Sequence, residues 1–308
     1  MKISTAIVGL GKIGLTYDFD ELGATKPNQI MTHCRAVSTS NVFEISYLID
    51  SHVEAVQMAV HQYGGAGFQS IVEAEGRDSP QLTIISVPTS LHLETLLNIA
   101  DKWSPTTFLI EKPFGSSSHE ARKMKEILRL QNAKVYVNYF RRYLPNFISL
   151  NSSTLFLNRG SLQSVVINGY GTLENIFSHF LDLLIFIEPS LILGISKKST
   201  YSKDSRNCRF TDLASGVLFE LNGMGRGIRE CEMTLVYDSV VIEMTSNGYC
   251  LEIRDVKGSS NELFNIDSST FNSYQAIVLE RIGDEFLLSE KNSSVDDAIR
   301  IHEFIESI

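Results

Sequence analysis

The stretch Ala6-Ile7-Val8-Gly9-Leu10-Gly11-Lys12-Ile13-Gly14 decides the fold of the first half of the chain. An apolar run of strand character leads directly into three glycines with the spacing Gly-x-Gly-x-x-Gly. In such a turn the first glycine permits the tight change of direction, the second lets the backbone approach a pyrophosphate, and the third lets a helix pack on the strand. The stretch therefore predicts a strand, a turn at residues 9–14 that cradles a dinucleotide, and a helix. A glycine-rich turn without a ligand is the alternative.

Short apolar runs separated by amphipathic stretches continue outward from this turn through the first half of the chain. The alternation predicts a doubly wound parallel sheet, because strands covered by helices on both faces read as continuous apolar runs. The runs expected to form strands are residues 5–9, 43–50, 82–87, 108–111 and 134–138. The helical stretches with the clearest period are 91–102 and 118–132.

A different pattern begins near residue 150. Runs rich in Val, Ile, Leu and Thr follow one another with turn signals between them, which predicts a largely antiparallel open sheet. The runs are 163–169, 215–221 and 233–243, with a helix expected around 174–187 and a closing helix at 294–308. We therefore expect a Rossmann domain of α/β class at 1–140 and an α+β domain at 141–308, whose closing helix can pack back on the first domain.

The composition excludes several classes of protein. The 308 residues are 43% hydrophobic and 20% charged, which is typical of a folded globular chain. A net charge of −9 repels phosphate backbones, so a nucleic-acid partner is not expected, although backbone amides at a helix start can still hold one anion. No apolar stretch approaches the roughly 20 residues that cross a bilayer, and the N-terminus lacks a signal-peptide layout. No membrane partner is expected.

The cysteine pattern favours a reducing compartment. Cys34, Cys208, Cys231 and Cys250 show no Cys-x-x-Cys spacing and no neighbouring histidine pair suited to zinc. We expect reduced, structural thiols, a cytoplasmic location and no metal site.

Asp50 ends the second expected strand, where the fold places the acidic residue that binds the adenosine ribose. A carboxylate there accepts from both ribose hydroxyls and repels a 2′-phosphate, and the following Ser51 and His52 offer no arginine to hold one. NAD is therefore favoured over NADP. The alternative is a helix N-cap without a ligand contact.

The spacing from Gly9 to Asp50 is unusual. Asp50 follows Gly9 by 41 positions, where about 20 is typical, because residues 15–31 are an apparent insertion. We expect the insertion near the cofactor or substrate cleft. A lid, a subunit contact and a passive loop remain open.

Three further motifs carry a resemblance to a known family. They are Val87-Pro88-Thr89-Ser90-Leu91-His92, Glu111-Lys112-Pro113 and Arg142-Tyr143-Leu144-Pro145. With the glycine turn, they make the chain resemble the glucose-fructose oxidoreductase, inositol dehydrogenase and MocA group of nicotinamide-dependent sugar and polyol oxidoreductases. The resemblance is good over residues 1–187 and thin beyond.

The resemblance implies a role for each of these motifs. Lys112 reaches toward the reacting carbinol or carbonyl, and Pro113, often preceded by a cis bond in the family, shapes the turn. Substrate contacts fall on Arg142 and Tyr139, and on Asn175 and Asp182 of a second motif. The residues implied in cofactor binding beside the glycine turn and Asp50 are Val87, Pro88, Thr89, His92, Glu111, Lys112 and Asn138.

The family's second active-site motif is similar to Asn175-Ile176-Phe177-Ser178-His179-Phe180-Leu181-Asp182. Positions 175, 179 and 182 lie on one helix face, which is expected to meet Lys112 across an interdomain cleft. His179 is the candidate for general acid and base work, since histidine has a reference pKa of about 6.5. A core or capping histidine is the alternative. Asp182 could orient His179 or hold the helix, and we favour a supporting role.

Asn175 stands where many family members carry an aspartate. It can hydrogen-bond a substrate hydroxyl but cannot take up a proton, so proton transfer would fall on His179 and Lys112. Phe177 stands where glycine is common and narrows the space beside the histidine. Both departures affect the expected substrate more than the expected reaction type.

The sequence as a whole predicts an NAD-dependent oxidoreductase that transfers hydride between the cofactor and a sugar, polyol or sugar derivative. One alternative is a dehydrogenase of a nucleotide-linked sugar in surface-polysaccharide synthesis. Another is a non-catalytic NAD-binding sensor, against which the retention of Lys112 and His179 argues. The second sheet is expected to pack against another subunit, giving a homodimer or homotetramer.

Overall fold

The structure, a computed structural model, describes residues 2–19, 23, 25–169, 177–189, 191, 207–211, 215–223, 230–288 and 294–307. It divides into two compact units. The first contains Met1–Phe140 and Asn272–Ile299, and the second contains Arg141–Phe271 and Arg300–Ile308. The domain boundary predicted from the sequence lies between residues 140 and 141. Asn272–Ile299, however, was expected in the second domain.

The first unit is built on a six-stranded parallel sheet in the order β3-β2-β1-β4-β5-β6. Its strands are β1 Ile3–Val8, β2 Phe43–Ile49, β3 Ala66–Phe68, β4 Leu82–Ile85, β5 Thr107–Ile110 and β6 Lys134–Val137. The order reverses direction beside β1, as in a doubly wound fold. The predicted parallel sheet is confirmed, and β3 is the one strand of this sheet that the sequence did not reveal.

Helices of both units alternate with the strands along the chain. The α-helices are α1 His33–Thr39, α2 Val53–Tyr63, α3 His92–Lys102, α4 Ser118–Leu130, α5 Pro145–Ile148, α6 Thr154–Leu157, α7 Ser178–Ile187, α8 Ser268–Phe271, α9 Tyr274–Leu288 and α10 Val295–Ser307. Short 3-10 helices lie at Thr16–Asp18, Val72–Ala74, Thr89–Leu91, Phe140–Tyr143, Ser149–Ser152 and Ser246–Gly248. Within the described ranges, no helix combines the length and the apolar composition needed to span a membrane.

Helix α9 explains why a late segment of the chain belongs to the first unit. The Tyr136 hydroxyl donates to the Glu285 carboxylate at 2.7 Å, and the Val137 amide donates to the Ser294 hydroxyl at 2.7 Å. These bonds attach α9 and the start of α10 to β6. The long-range attachment leaves no mark in the local sequence pattern.

The second unit contains a seven-stranded sheet in the order β13-β12-β11-β10-β7-β9-β8. Its strands are β7 Leu162–Gly169, β8 Asn207–Thr211, β9 Leu218–Gly223, β10 Glu232–Tyr237, β11 Val240–Thr245, β12 Cys250–Asp255 and β13 Asn261–Leu263. All neighbouring strands are antiparallel except the parallel pair β7 and β9, which confirms the largely antiparallel sheet.

Two elements of the second unit differ from their expected bounds. The run at 233–243 is two strands, because the chain turns at residues 238–239 between β10 and β11. Of the helix expected at 174–187, α7 begins at Ser178, and residues 174–176 lie outside the described residues. Side chains alternate between buried and partly exposed along β10 and β11, so one face of the sheet is covered and the other is open.

Candidate dinucleotide and active site

The glycine turn is shaped by close backbone contacts at its first and last positions. Gly9 has a φ of +100°, and a Cβ there would lie 2.5 Å from the Ser86 carbonyl carbon. A Cβ on Gly14 would lie 2.1 Å from the Gly9 carbonyl oxygen. Both distances are too short for any side chain, so the backbone itself requires glycine at 9 and 14.

Gly11 differs from the other two glycines because nothing lies within 4 Å of the position that its Cβ would take. The backbone amides of residues 11–14 donate to no acceptor in the part of the chain that the structure describes. A backbone that faces open space with several unpaired amides is suited to an anion. The turn therefore fits the pyrophosphate of a dinucleotide.

The helix that starts at this turn is interrupted and then resumes. The Leu15 amide donates to the Gly11 carbonyl at 2.8 Å, as in a first helical turn. The amides of His33 and Cys34 then donate at 3.0 Å to the carbonyls of Ile13 and Gly14, as the next residues of an unbroken helix would. Residues 16–31 are thus inserted into one helix, starting one position later than the predicted 15–31.

Asp18 fixes the base of the insertion. Its buried carboxylate accepts from the Met31 amide at 2.9 Å, the Thr32 amide at 2.9 Å and the Thr32 hydroxyl at 2.6 Å. Thr32 in turn caps α1 by accepting from the Arg35 amide at 3.3 Å. The two ends of the insertion are therefore held together, and α1 begins at a defined place.

Asp50 lies at the end of β2 against the glycine turn. One carboxylate oxygen accepts from the Leu10 amide at 2.6 Å, and the other accepts from the His52 amide at 2.9 Å and lies 3.0 Å from the His52 ring. The side chain is 15% exposed. His52, rather than Asp50, is the N-cap residue of α2. The carboxylate thus keeps an open edge beside the turn, where a ribose would lie.

His92 holds two turns of the sheet edge together. Its fully buried ring places Nε2 3.0 Å from the Val87 carbonyl oxygen and Nδ1 3.1 Å from the Phe114 carbonyl oxygen. Burial lowers the pKa of the imidazole, against an opposing effect of the two backbone contacts. His92 therefore bridges the turns after β4 and β5, while Pro88 on the same turn is exposed and Val87 and Thr89 are partly exposed.

Glu111 accepts hydrogen bonds on both of its carboxylate oxygens at this edge. Its Oε1 accepts from His33 Nε2 at 2.9 Å and from Asn138 Nδ2 at 2.6 Å, and its Oε2 accepts from the Lys112 amide at 3.3 Å. Burial alone would raise the pKa of Glu111, but the hydrogen bond and charge interaction with His33, the hydrogen bond from Asn138 and the charge of Lys112 lower it overall. The carboxylate is 13% exposed and is held in its ionised form.

Lys112 follows this carboxylate directly, and the Lys112–Pro113 peptide is cis. Asn138, at the end of β6, also donates from Nδ2 to Gln275 Oε1 of α9 at 3.1 Å, and the buried Tyr139 comes next. Among the predicted residues, Glu111, Lys112 and Asn138 are thus brought together at one end of neighbouring strands.

His33 and Gln275 also belong to this cluster, and the sequence did not predict them. The insertion separates His33 from the glycine turn, and Gln275 comes from a helix that follows the whole second sheet. Once residues 16–31 are set aside, His33 stands three positions after Gly14. That short spacing is the only sequence feature that could have identified His33, and it can be recognised only when the bounds of the insertion are known.

In the second unit, Arg142 and Asp182 are bound to each other. Arg142 Nε donates to Asp182 Oδ2 at 2.9 Å, and a terminal guanidinium nitrogen donates to Oδ1. Asp182 is fully buried in α7, and Arg142 is 11% exposed. His179 is partly exposed in the first turn of α7, and Asn175 lies outside the described residues. The pairing occupies both carboxylate oxygens of Asp182. The supporting role of Asp182 and substrate contact by Asp182, Arg142 or Tyr139 stay predictions.

The described residues contain no group of three or more histidine, cysteine, aspartate or glutamate side chains arranged for a metal ion. Cys34 and Cys231 are buried free thiols and Cys250 is a partly exposed one. Burial raises the pKa of the Cys34 thiol, which keeps it protonated and unreactive. The cytoplasmic location expected from the cysteines stays a prediction.

Two solved structures share the fold across the whole chain. The transcriptional regulator Gal80p from Kluyveromyces lactis is 18% identical, with a TM-score of 0.74 over all of this chain and 91% of that one. The WlbA dehydrogenase from Bordetella pertussis, in complex with NADH and UDP-GlcNAcA, is 14% identical, with a TM-score of 0.72 over all of this chain and 94% of that one. At these identities the likeness shows the fold alone.

The sequence comparisons identify the first unit more closely. Residues 3–139 match the oxidoreductase family with an NAD-binding Rossmann fold that includes glucose-fructose oxidoreductase, inositol dehydrogenase and MocA. The rhizopine catabolism protein MocA of Rhizobium meliloti is 29% identical over 133 residues, which span 42% of this chain and 39% of that protein. Residues 3–139 therefore match the NAD-binding Rossmann domain of the Gfo/Idh/MocA oxidoreductases.

Proposed function

We propose that this protein is a nicotinamide-dependent oxidoreductase that transfers hydride between the cofactor and a CH–OH or carbonyl carbon of a sugar, polyol or sugar derivative. The observation that carries the proposal is the position of Lys112. It directly follows the ionised Glu111, on the strand edge that also carries the glycine turn. Ligands of doubly wound sheets bind outside the carboxyl ends of the strands, which is this edge.

The cofactor side of the proposal uses backbone amides and one carboxylate. The amides of residues 11–14 would hold the pyrophosphate, and Asp50 would accept from the ribose hydroxyls. When bound, the nicotinamide supplies the hydride acceptor or donor. Because Asp50 is negative and neither Ser51 nor His52 is an arginine, we propose NAD rather than NADP.

The proton side of the proposal falls on Lys112 and, separately, on His179. Lys112 would exchange a proton with the substrate hydroxyl as hydride leaves or enters the carbon. His179 is partly exposed at the start of α7 and is the second candidate for this work. Asn175 would hydrogen-bond a substrate hydroxyl without taking up its proton.

The test is transfer of an isotope. NADH carrying deuterium at C4 is incubated with keto-sugars, oxidised polyols and nucleotide-linked keto-sugars, and the products are analysed by mass spectrometry. We expect deuterium on carbon in at least one product. The Lys112→Met variant should lose about 10²–10⁴-fold in turnover while it binds NADH as before. Lys123→Met, on the exposed face of α4, is the control. Unchanged turnover in Lys112→Met would remove the assigned role.

The nucleotide-linked sugars in this panel test the second candidate substrate class. WlbA, with the same fold, was solved with NADH and UDP-GlcNAcA, and this observation favours including a sugar attached to a nucleoside diphosphate. Transfer to nucleotide-linked sugars with none to free sugars would select this narrower function.

A binding role without catalysis is the remaining candidate, and it is favoured by the shared fold with the regulator Gal80p. A sensor of this kind would bind NADH, raise the melting temperature of the protein and transfer no deuterium to any carbonyl compound. Retention of Lys112 and His179 supports the enzyme.

We also propose that the open face of the second sheet packs against another copy of the chain, in a homodimer or homotetramer. Partly exposed Val166, Val236 and Val241 lie on that face among polar residues. Light scattering after gel filtration measures the mass. A chain that stays monomeric at micromolar concentration would contradict this assembly.

A further inference from the structure

We propose that His33 is a positioning residue for Lys112, acting through Glu111. The inference deepens the proposed function and rests on it in one respect, namely that Lys112 takes part in the reaction. It goes further by assigning a task to a residue that follows the insertion and that no motif singles out.

The contacts form a short chain from α1 to the lysine. His33 Nε2 lies 2.9 Å from Glu111 Oε1, and Glu111 Oε2 accepts from the backbone amide of Lys112 at 3.3 Å. His33 is fully buried. A shift or rotation of the Glu111 carboxyl would break its hydrogen bond to the Lys112 amide and free the backbone from which the Lys112 side chain extends. The imidazole, by fixing the carboxyl, therefore helps to fix that backbone.

The direction of the first hydrogen bond follows from the chemistry of the partners. An ionised carboxylate only accepts, so His33 Nε2 donates. The other ring nitrogen, Nδ1, is buried and has no hydrogen-bond partner within the described residues. A proton on Nδ1 would leave a buried donor unsatisfied, whereas the neutral ring leaves only a lone pair. The donated proton therefore lies on Nε2, and Nδ1 faces no acceptor among the described residues.

Several polar and charged groups surround the Glu111 carboxylate. Asn138, from the end of β6, is a second donor. Besides His33 of α1, the titratable groups that interact with the carboxylate from other elements are His92 of α3 and Tyr274 of α9. Burial lowers the pKa of His92 and raises that of Tyr274. Lys112 is the cation that follows Glu111 in the chain. The carboxylate attracts the charge of Lys112 and also accepts a hydrogen bond from its backbone amide.

The insertion is built so that His33 keeps its place. His33 opens α1, and its amide donates to the Ile13 carbonyl, so its position relative to the glycine turn is that of an unbroken helix. Asp18 binds both sides of the joint at Met31 and Thr32. The chain thus accommodates sixteen additional residues without moving the ring that contacts Glu111.

The first test uses the protein without cofactor and does not depend on activity. With ¹³C-labelled glutamate side chains, the carboxyl carbon of Glu111 is identified as the signal that disappears in Glu111→Gln, and its titration is followed by NMR. His33→Phe keeps a buried ring but removes the donor, so the midpoint should rise. His33→Gln keeps a neutral donor and should return the midpoint toward that of the original protein.

The second test is kinetic. His33→Phe should lower kcat by about 10²-fold with little change in NADH affinity, since a misplaced catalytic group costs about this much. The acid limb of the kcat/KM profile should move to higher pH, and His33→Gln should recover most of both effects. If His33→Phe does not fold, His33→Met, which matches glutamine in length but has no donor, takes its place.

The two proposals fail in different ways. An unchanged Glu111 midpoint together with an unchanged kcat in His33→Phe or His33→Met would overturn the role of His33, whatever the reaction is. Full turnover in Lys112→Met would overturn the proposed mechanism while leaving the His33 effect on the Glu111 midpoint in place.

Discussion

Each unit holds a buried carboxylate, and the two are held in different ways. Glu111 of the first unit is 13% exposed and receives hydrogen bonds from the side chains of His33 and Asn138. Asp182 of the second unit has no exposed surface, and both of its carboxylate oxygens accept hydrogen bonds from the guanidinium of Arg142. In the first case the negative charge persists at the site, and in the second it is neutralised where it lies.

This difference separates a carboxylate that can act on its surroundings from one that fixes a helix. Neutral donors stabilise an anion without cancelling its field, so Glu111 still attracts the adjacent Lys112. A bidentate arginine cancels the field and locks the geometry of both partners. The sequence motifs predicted site roles for both Glu111 and Asp182, and their hydrogen-bond partners distinguish the two carboxylates.

The largest expected effect is on the ion pair of the second unit. Arg142→Met leaves Asp182 buried without its cation and should cost about 3–5 kcal/mol of unfolding free energy, measured by urea denaturation. Lys125→Met, which breaks the exposed pair with Asp296, is the matched control and should cost less than about 1 kcal/mol. Equal losses in the two variants would mean that burial does not set the strength of the Arg142 pair.

A double variant separates structure from substrate binding at Arg142. Arg142→Met combined with Asp182→Leu removes both charges together and should restore most of the stability, since an apolar pair can replace a buried ion pair. If the stable double variant keeps its KM, the predicted substrate contact of Arg142 is wrong. A raised KM at restored stability would support that contact.

The second effect compares two glycines of one turn. In Gly14→Ala the new methyl meets the Gly9 carbonyl oxygen, and the backbone must shift at a cost of about 3 kcal/mol. Gly11→Ala meets no protein atom, so its stability should change by less than about 0.5 kcal/mol while NADH binding weakens. Thermal unfolding and NADH titration measure both. Unaltered NADH affinity in Gly11→Ala would contradict the pyrophosphate position.

How far the sequence predicts this molecule depends on the range of each interaction. The turn at residues 9–14 and Asp50 follow from local rules, since glycine spacing and strand ends are visible in a few consecutive residues. Strand β3 was missed because Ala66–Phe68 is three residues long and contains a glycine, so it shows no apolar period. Its pairing with β2, rather than its own sequence, makes it a strand.

The partners of Glu111 could not be predicted for a different reason. His33 lies 78 positions before it and Asn138 lies 27 positions after it, and no local pattern links them. The insertion hides the spacing from the glycine turn to His33. In the second unit, the opposite charges of Arg142 and Asp182 were visible, but only the fold shows that they satisfy each other.

The third effect is a dependence of stability on pH. The pKa of Glu111 in the folded state is below its ordinary value of 4.5, so its contribution is complete above pH 4.5 and is lost as pH falls through the lowered folded value. Glu111→Gln should be less stable than the original protein by about 1.5–3 kcal/mol at pH 7. The difference should shrink below pH 4.5. Glu94→Gln, on the exposed face of α3, should show no such trend.

The smallest effect tests whether the negative charge of another hydrogen-bonded carboxylate, that of Asp50, contributes to cofactor binding. Asp50 accepts from the amides of Leu10 and His52 and lies 3.0 Å from the His52 ring, whereas Glu111 accepts from the side chains of His33 and Asn138. In Asp50→Asn the amide oxygen can still accept from Leu10, so the turn should stay in place while the charge disappears. NADH affinity should fall about tenfold, because one charged hydrogen bond to the ribose becomes neutral.

NADPH should bind that variant no more weakly than it binds the original protein, since the repulsion of its 2′-phosphate has been removed. Asp78→Asn, an exposed aspartate, is the control and should leave both affinities unchanged. If Asp50→Asn weakens the two cofactors equally, the carboxylate serves only to hold the Leu10 amide. It would then resemble Asp182, whose charge is used within the fold, rather than Glu111.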